Sequence, residues 1–214
     1  LISIYIYTKV PEFFLRFVIY ILAICMYRVR TKRHENIPSE GAAVIVANHV
    51  SFVDWMFILA TSPRPIRFMV FAPIYYSKAL HWLFKMAKAI PIDSEKANPK
   101  AFAKAFDEVA AALERGELVG IFPEGKLTSN GEMDMFRRGI ERIIARTPVP
   151  VVPVHLGGLW GSMFSRKAKW QLPRLKWSLV SVSVGEPIEA EQVSANYLHE
   201  QVSALKAQHA KNTP

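Results

Sequence analysis

Six apolar residues in a row, Ala42-Ala43-Val44-Ile45-Val46-Ala47, stop at Asn48-His49, and a new apolar run opens at Phe52. An unbroken apolar stretch of this length, bounded by polar residues, suits a strand that is buried on both faces. A chain with such a strand must cover both sides of a sheet. Short apolar runs over 66–71, 89–92, 118–122, 149–156 and 177–184 predict further strands. Helical patterns fall between them, over about 52–60, 73–88 and 138–146, with a polar helix over 189–211. Asn98-Pro99 opens another helix as an N-cap followed by proline at the first helical position. Phe102, Phe106, Val109 and Leu113 mark its apolar stripe, and Gly116 closes it. Strands alternating with helices predict an α/β architecture.

The turn that follows the first strand carries the chemistry. Asn48-His49-Val50-Ser51-Phe52-Val53-Asp54 places an imidazole and a carboxylate five residues apart. On one continuous helix five steps turn the side chains about 140° away from each other. The two meet only if His49 precedes the helix and Asp54 lies in its first turn. In that arrangement Asp54 accepts from one ring nitrogen and leaves the other to take a proton. A second arrangement fits the same letters. Ser51 to Asp54 matches a capping box, in which Asp54 satisfies backbone donors and His49 is an ordinary buried histidine.

A second segment, Phe122-Pro123-Glu124-Gly125-Lys126-Leu127-Thr128, follows another strand. Gly125 permits a positive φ or a close backbone approach. Glu124, Lys126 and Thr128 crowd the strand's C-terminal end, where open α/β sheets bind ligands. Lysine and a hydroxyl beside glycine suit a phosphate, and a plain strand-end turn is the alternative. Nucleotide hydrolysis is not indicated, because the P-loop spacing is absent. Val149-Pro150-Val151-Val152-Pro153-Val154 predicts an edge strand or the wall of an apolar groove. Between Trp160 and Trp177, Phe164 and Trp170 alternate with Arg166, Lys167, Lys169, Arg174 and Lys176. That mixture fits a membrane interface, single-stranded nucleic acid, or a solvated hairpin.

Composition narrows the partners. The 214 residues are 51% hydrophobic and 21% charged, with a formal net charge of +9. Such a chain suits an anionic surface: a membrane, nucleic acid or a phosphorylated substrate. The single Cys25 excludes an intrachain disulfide and a cysteine metal cluster, and the histidines show no metal-ligand spacing. No Gly-x-Ser-x-Gly elbow is present, which argues against a serine hydrolase. Residues 12–27 are the most apolar stretch, with Arg28, Arg30, Lys32 and Arg33 behind it. The stretch is shorter than the roughly 20 residues a spanning helix needs, and Arg16 interrupts it. It predicts a helix that dips into one leaflet or lies in the interface, with the basic cluster at the headgroups, and an amphipathic core helix is the alternative. A chain beginning at Leu1 is expected to be a piece of a longer polypeptide.

Four blocks, in this order, resemble the glycerolipid acyltransferase family, which includes 1-acylglycerol-3-phosphate acyltransferases. His49 to Asp54 is similar to its His-x4-Asp signature, Lys88-Ala89-Ile90-Pro91-Ile92-Asp93 to its second block, Phe122-Pro123-Glu124-Gly125 to its third, and Val149 to Val154 to its fourth. The likeness spans roughly residues 35–190. Two departures stand out. Ser94 follows Asp93 where arginine is common, and Lys126-Leu127 follows Gly125 where Thr-Arg is common. A basic residue directly after the glycine is more similar to the branch that acylates lysophosphatidylethanolamine, some members of which are fused behind a transporter.

The resemblance implies an α/β fold with a central mixed sheet flanked by helices. It implies a membrane-associated helical segment over 1–33 and an acyltransferase domain over 34–214. The implied reaction moves a fatty acyl group from acyl-coenzyme A or acyl carrier protein to the hydroxyl of a lysophospholipid. No cofactor or metal is implied. His49 and Asp54 are the expected catalytic residues. Glu124, Gly125, Lys126, Thr128, Arg138 and Pro153 are the expected substrate-binding residues, with Arg137 as an auxiliary. Expected partners are membrane lipids, and the expected location is the cytoplasmic face of a bacterial inner membrane. Nucleic acid is not an expected partner. A non-catalytic membrane-binding module and a thioesterase are the competing functions.

Overall fold

The computed structural model describes residues 11–162, 164–166 and 178–211. In chain order the elements are α1 (Pro11–Met26), β1 (Tyr27–Lys32), β2 (Ala43–Ala47), α2 (Asp54–Thr61), β3 (Ile66–Phe71), α3 (Ala72–Tyr75) and α4 (His81–Met86). They continue as β4 (Ile90–Ile92), α5 (Pro99–Glu114), β5 (Leu118–Ile121), α6 (Gly139–Arg146), β6 (Val151–Gly157), β7 (Ser178–Val184) and α7 (Ala195–Lys211). The strands form one seven-stranded sheet in the order β1-β7-β6-β2-β5-β3-β4. Pairing is parallel throughout except between β6 and β7, so the sheet is mixed as expected.

The opening apolar run explains why both sides of the sheet are covered. All of β2 is buried. Its alternate residues Ala43, Ile45 and Ala47 enter one core, which also holds Leu15, Ile19 and Ala23 of α1 and Phe57, Ile58 and Leu59 of α2. Val44 and Val46 enter the other, with Val109, Ala112 and Leu113 of α5, Ile140 and Ile143 of α6, and Leu198 and Val202 of α7. This is the period-two alternation of a strand between two helical layers.

Four local expectations are corrected. First, β6 is an interior strand between β7 and β2, despite Pro153 within it and Pro150 just before it. The carbonyl of Pro153 accepts the Gly185 N–H at 2.8 Å, so residue 153 faces the β7 side just past the end of that strand. Its missing N–H therefore removes no bond from the β2 pairing. Second, residues 73–88 do not form one helix. The Tyr75 ring stacks on Phe84 at 6.0 Å and packs edge-on against His81. Nine residues apart on a straight helix, rings 75 and 84 would be about 13 Å apart along the axis. The chain bends at Ser77, whose carbonyl accepts from both Leu80 and His81.

Third, the basic run behind α1 is itself a strand. Residues of β1 pair with β7 along their whole length, and this edge strand exposes Arg28, Arg30 and Lys32. Charged residues on an edge discourage pairing with foreign strands. Fourth, the C-terminal helix starts at Ala195, where the Ser194 hydroxyl accepts the Tyr197 N–H at 3.2 Å. It is not wholly polar: Ala195, Leu198, Val202 and Leu205 are buried on one stripe.

Helix α1 runs antiparallel to α2 across the sheet. Arg16 near its start donates to the Pro63 carbonyl beyond the end of α2, and Tyr27 at its end meets Phe57 edge-on at 5.1 Å. Its outer side exposes Phe13, Phe17, Tyr20, Ile21 and Ile24. No helix among the described residues is long and apolar enough to cross a membrane. Most of the aromatic and basic segment between Trp160 and Trp177 lies outside the described residues.

Candidate active site

At the C-terminal end of β2 the chain is pinned before it turns. The Asn48 amide accepts from the Leu156 N–H at 2.7 Å and donates to the Leu156 carbonyl at 3.0 Å. This doubly bonded amide ties the strand end to β6 and fixes where His49 begins. The next turn is closed by Asp54, the first residue of α2. Its Oδ2 accepts the Val50 N–H at 2.6 Å and the Ser51 N–H at 2.9 Å, and lies 2.9 Å from His49 Nδ1. One oxygen of Asp54 thus takes up backbone donors of the turn before α2 and also holds the imidazole, without a capping box, since the residue before the helix is Val53 and makes no side-chain cap.

Asp54 is fully buried, while the His49 side chain is 21% exposed. Burial pushes the Asp54 carboxyl above its ordinary value, and the bonds from His49, Ser51 and Val50 pull it back. Three donors converging on one oxygen favour the ionised form locally. With Nδ1–H donating to Asp54, His49 keeps the lone pair of Nε2.

The third block holds His49 from the other side. Glu124 is 2% exposed, and its two oxygens accept the His49 N–H at 2.8 Å and the Asp134 N–H at 3.0 Å. The Thr128 N–H donates to the His49 carbonyl at 3.0 Å. Both polar groups of the His49 backbone are thus taken up by residues 124–128. Burial raises the Glu124 carboxyl above its usual value, opposed by the Asp134 and His49 bonds. The imidazole lies flat on Phe122 at 4.2 Å between centroids, and Phe122 stacks on Phe68 at 5.8 Å. A side chain at residue 120 would come 2.5 Å from the Phe68 ring, so Gly120 gives that stack its room.

His49 and Glu124 line a cavity of about 270 Å³, together with Thr128, His155, Trp160 and Lys206 among others. Thr128 lies on this wall, but its hydroxyl already bonds the Glu132 carbonyl at 2.6 Å and the Gly131 N–H at 3.1 Å. Other expected binding residues are not on the wall. Lys126 is exposed and pairs with Asp134 at 3.0 Å. Arg138 is exposed at the start of α6. Pro153 is buried inside the sheet. Gly125 has φ +70°, and the Arg137 guanidinium lies over it, 3.0 Å from where a Cβ would stand.

Sequence reasoning missed Lys206. It is the one Lys or Arg among the described residues lining the cavity, and it pairs there with Glu132. No local pattern marks it, since only the packing of α7 brings it in. Asn48 had a signal, as a polar residue that directly ends an apolar run. Among the described residues no three His, Cys, Asp or Glu side chains gather to hold a metal ion.

A mixed α/β sheet with a carboxylate-held histidine at its C-terminal edge, beside a cavity, defines a class of proteins able to move a proton during group transfer. The chain belongs to the acyltransferase family, whose model matches residues 28–157. A chloroplastic 1-acyl-sn-glycerol-3-phosphate acyltransferase of Arabidopsis thaliana is 29% identical over 133 residues, 62% of this chain and 36% of the relative. A 1-acyl-sn-glycerol-3-phosphate acyltransferase of Bacillus subtilis is 29% identical over 146 residues, 67% of this chain and 70% of the relative. The crystal structure of the 1-acyl-sn-glycerophosphate acyltransferase PlsC of Thermotoga maritima superposes with a TM-score of 0.68 at 21% identity. It covers 89% of this chain and 76% of that one. The chain spans little more than a third of the length of the chloroplastic relatives of Arabidopsis thaliana and Brassica napus.

Proposed function

We propose that this chain transfers a fatty acyl group from a thioester to the hydroxyl of a lysoglycerophospholipid, in the manner of a 1-acylglycerol-3-phosphate acyltransferase in phospholipid synthesis. The observation that carries this reading is the His49–Asp54 pair at 2.9 Å, with His49 on the wall of the cavity and Asp54 buried behind it. The His49 Nε2 takes the proton of the acceptor hydroxyl as that oxygen bonds to the acyl carbon. The carbon–sulfur bond breaks, and the thiolate leaves with its electron pair. A thiolate leaves readily, so one base and no protein nucleophile suffices. Asp54 holds the imidazole and stabilises the imidazolium that forms.

The donor is acyl-coenzyme A or acyl carrier protein. The phosphate of the acceptor is met by the cations around the Glu124–Gly125 turn, Lys126, Arg137 and Arg138, and by Lys206 on the cavity wall. The protein works at a membrane surface, where its substrates reside. Similarity of Lys126-Leu127 to the lysophosphatidylethanolamine branch supports that lipid as the second acceptor to test.

The experiment combines purified protein with acyl-coenzyme A or acyl carrier protein and a panel of lysophospholipids, with products read by mass spectrometry. His49→Ala is expected to lose about 10²–10⁴-fold of rate, the usual worth of a general base. Free fatty acid as the main product would instead identify a thioesterase. Turnover near the parent rate in His49→Ala would remove the base assignment.

A further inference from the structure

We propose that the aromatic segment from Phe71 through α3 and α4 to Trp82 is a docking surface for an anionic lipid bilayer, separate from α1. Five large apolar side chains project from this short segment: Phe71, Ile74, Tyr76, Leu80 and Trp82. Tyr76 is 63% exposed and Trp82 61%. Scattered single apolar residues on a surface need no explanation, but a cluster within twelve residues marks a contact site.

Charge selects the occupant. Residues 72–92 contain Lys78, Lys85 and Lys88 and not one Asp or Glu. Aromatic side chains interleaved with lysines match the boundary between headgroups and acyl chains. The hydrogen bonding of Trp82 agrees. Its indole N–H already donates to the Ala79 carbonyl at 3.0 Å. Immersion of this exposed ring therefore abandons no bond to water. Trp55, whose ring lies 6.4 Å from that of Phe84 in α4, is satisfied in the same way by the Phe52 carbonyl at 3.1 Å.

Position supplies the second argument. Strands β2, β5 and β3 run parallel, so the residues that leave them share one edge of the sheet. His49 follows β2, Phe122 follows β5, and Phe71 ends β3 and leads into α3. The patch is thus on the edge that carries the candidate base. Helix α4 also packs against α1. The proposal takes from the proposed function only that the acceptor is a lipid.

The test uses the full chain and vesicles of equal parts phosphatidylglycerol and phosphatidylcholine. A variant carrying Tyr76→Ser, Leu80→Ser and Trp82→Ser is expected to bind these vesicles at least about tenfold more weakly than the parent. Its turnover of a short-chain, monomeric lysophospholipid should stay within about twofold of the parent. Trp82→Phe, which preserves packing, serves as an independent readout. Brominated lipids should quench parent fluorescence more than that of Trp82→Phe.

Unchanged vesicle binding of the triple variant, or equal quenching in the Trp82→Phe variant, overturns the proposal. So does a dimer that the triple variant abolishes, or vesicle binding that appears only with acyl carrier protein present. Absence of short-chain turnover in the parent would strike the proposed function, while the vesicle measurements would still decide the surface.

Discussion

The N–H, the carbonyl and the Nδ1 of His49 are bound by Glu124, Thr128 and Asp54. Its ring is seated on Phe122. Glu124 is the residue on which most of this depends, because one carboxylate bridges two segments distant in sequence. Glutamine has one acceptor oxygen where two are needed. Glu124→Gln therefore leaves the His49 or the Asp134 N–H facing another donor, a loss of about 1–3 kcal/mol for a buried unsatisfied group. Chemical denaturation measures that loss, and turnover should fall with it. The pH dependence has a definite sign. Glu124 holds its proton more tightly folded than unfolded, with an ordinary value of 4.5. As pH rises above 4.5, the unfolded chain loses this proton first, so stability falls until the folded carboxyl also ionises. The Glu124→Gln variant should lack that part of the slope, and Asp54, also raised by burial, should retain its own. The spacing of His49 and Asp54 was legible in the sequence. The clamp by Glu124 was not, because letters do not show which backbone donors a carboxylate will meet.

Among the elements, the contact of β6 with β7 is the most demanding. Gly158 follows β6 with φ +86°, and a Cβ there would come 2.0 Å from the Leu179 carbonyl oxygen of β7. No flexible side chain is available to yield, since the obstacle is backbone. Gly158→Ala should cost at least about 1–3 kcal/mol from backbone strain alone. Urea denaturation with an unchanged midpoint would contradict this close approach. The strands themselves were legible wherever an apolar run was long or bounded by turn residues, as in β2, β3 and β5. The bend between α3 and α4 was not, because it depends on Tyr75 finding Phe84 and His81 in space. Prolines misled the placement of β6, since proline is costly only where its N–H is needed.

For the whole molecule, the segment over residues 11–32 is part of the fold. Removing it deletes β1, which pairs with β7 throughout, and takes Leu15, Ile19 and Ala23 from the core. Such a truncation should lower the melting temperature as well as vesicle binding. The triple variant Phe17→Ser, Tyr20→Ser, Ile24→Ser changes only exposed positions. It should keep the melting temperature within a few degrees and lose vesicle binding alone. Circular dichroism melts with vesicle flotation distinguish the two effects, and equal destabilisation by both would place the outer face of α1 inside the fold. The apolar character of α1 was legible in composition. Its rigid continuation into a strand was not, because the partner of β1 lies far along the chain.

That distance has a consequence for how the protein is made. During synthesis α1 and β1 leave the ribosome while β7, the strand that must receive β1, is still about 150 residues away. For that interval the sheet lacks its outer pair, and the apolar helix has no completed core to cover. That edge of the sheet closes only after β7 has emerged to bind a segment made about 150 residues earlier.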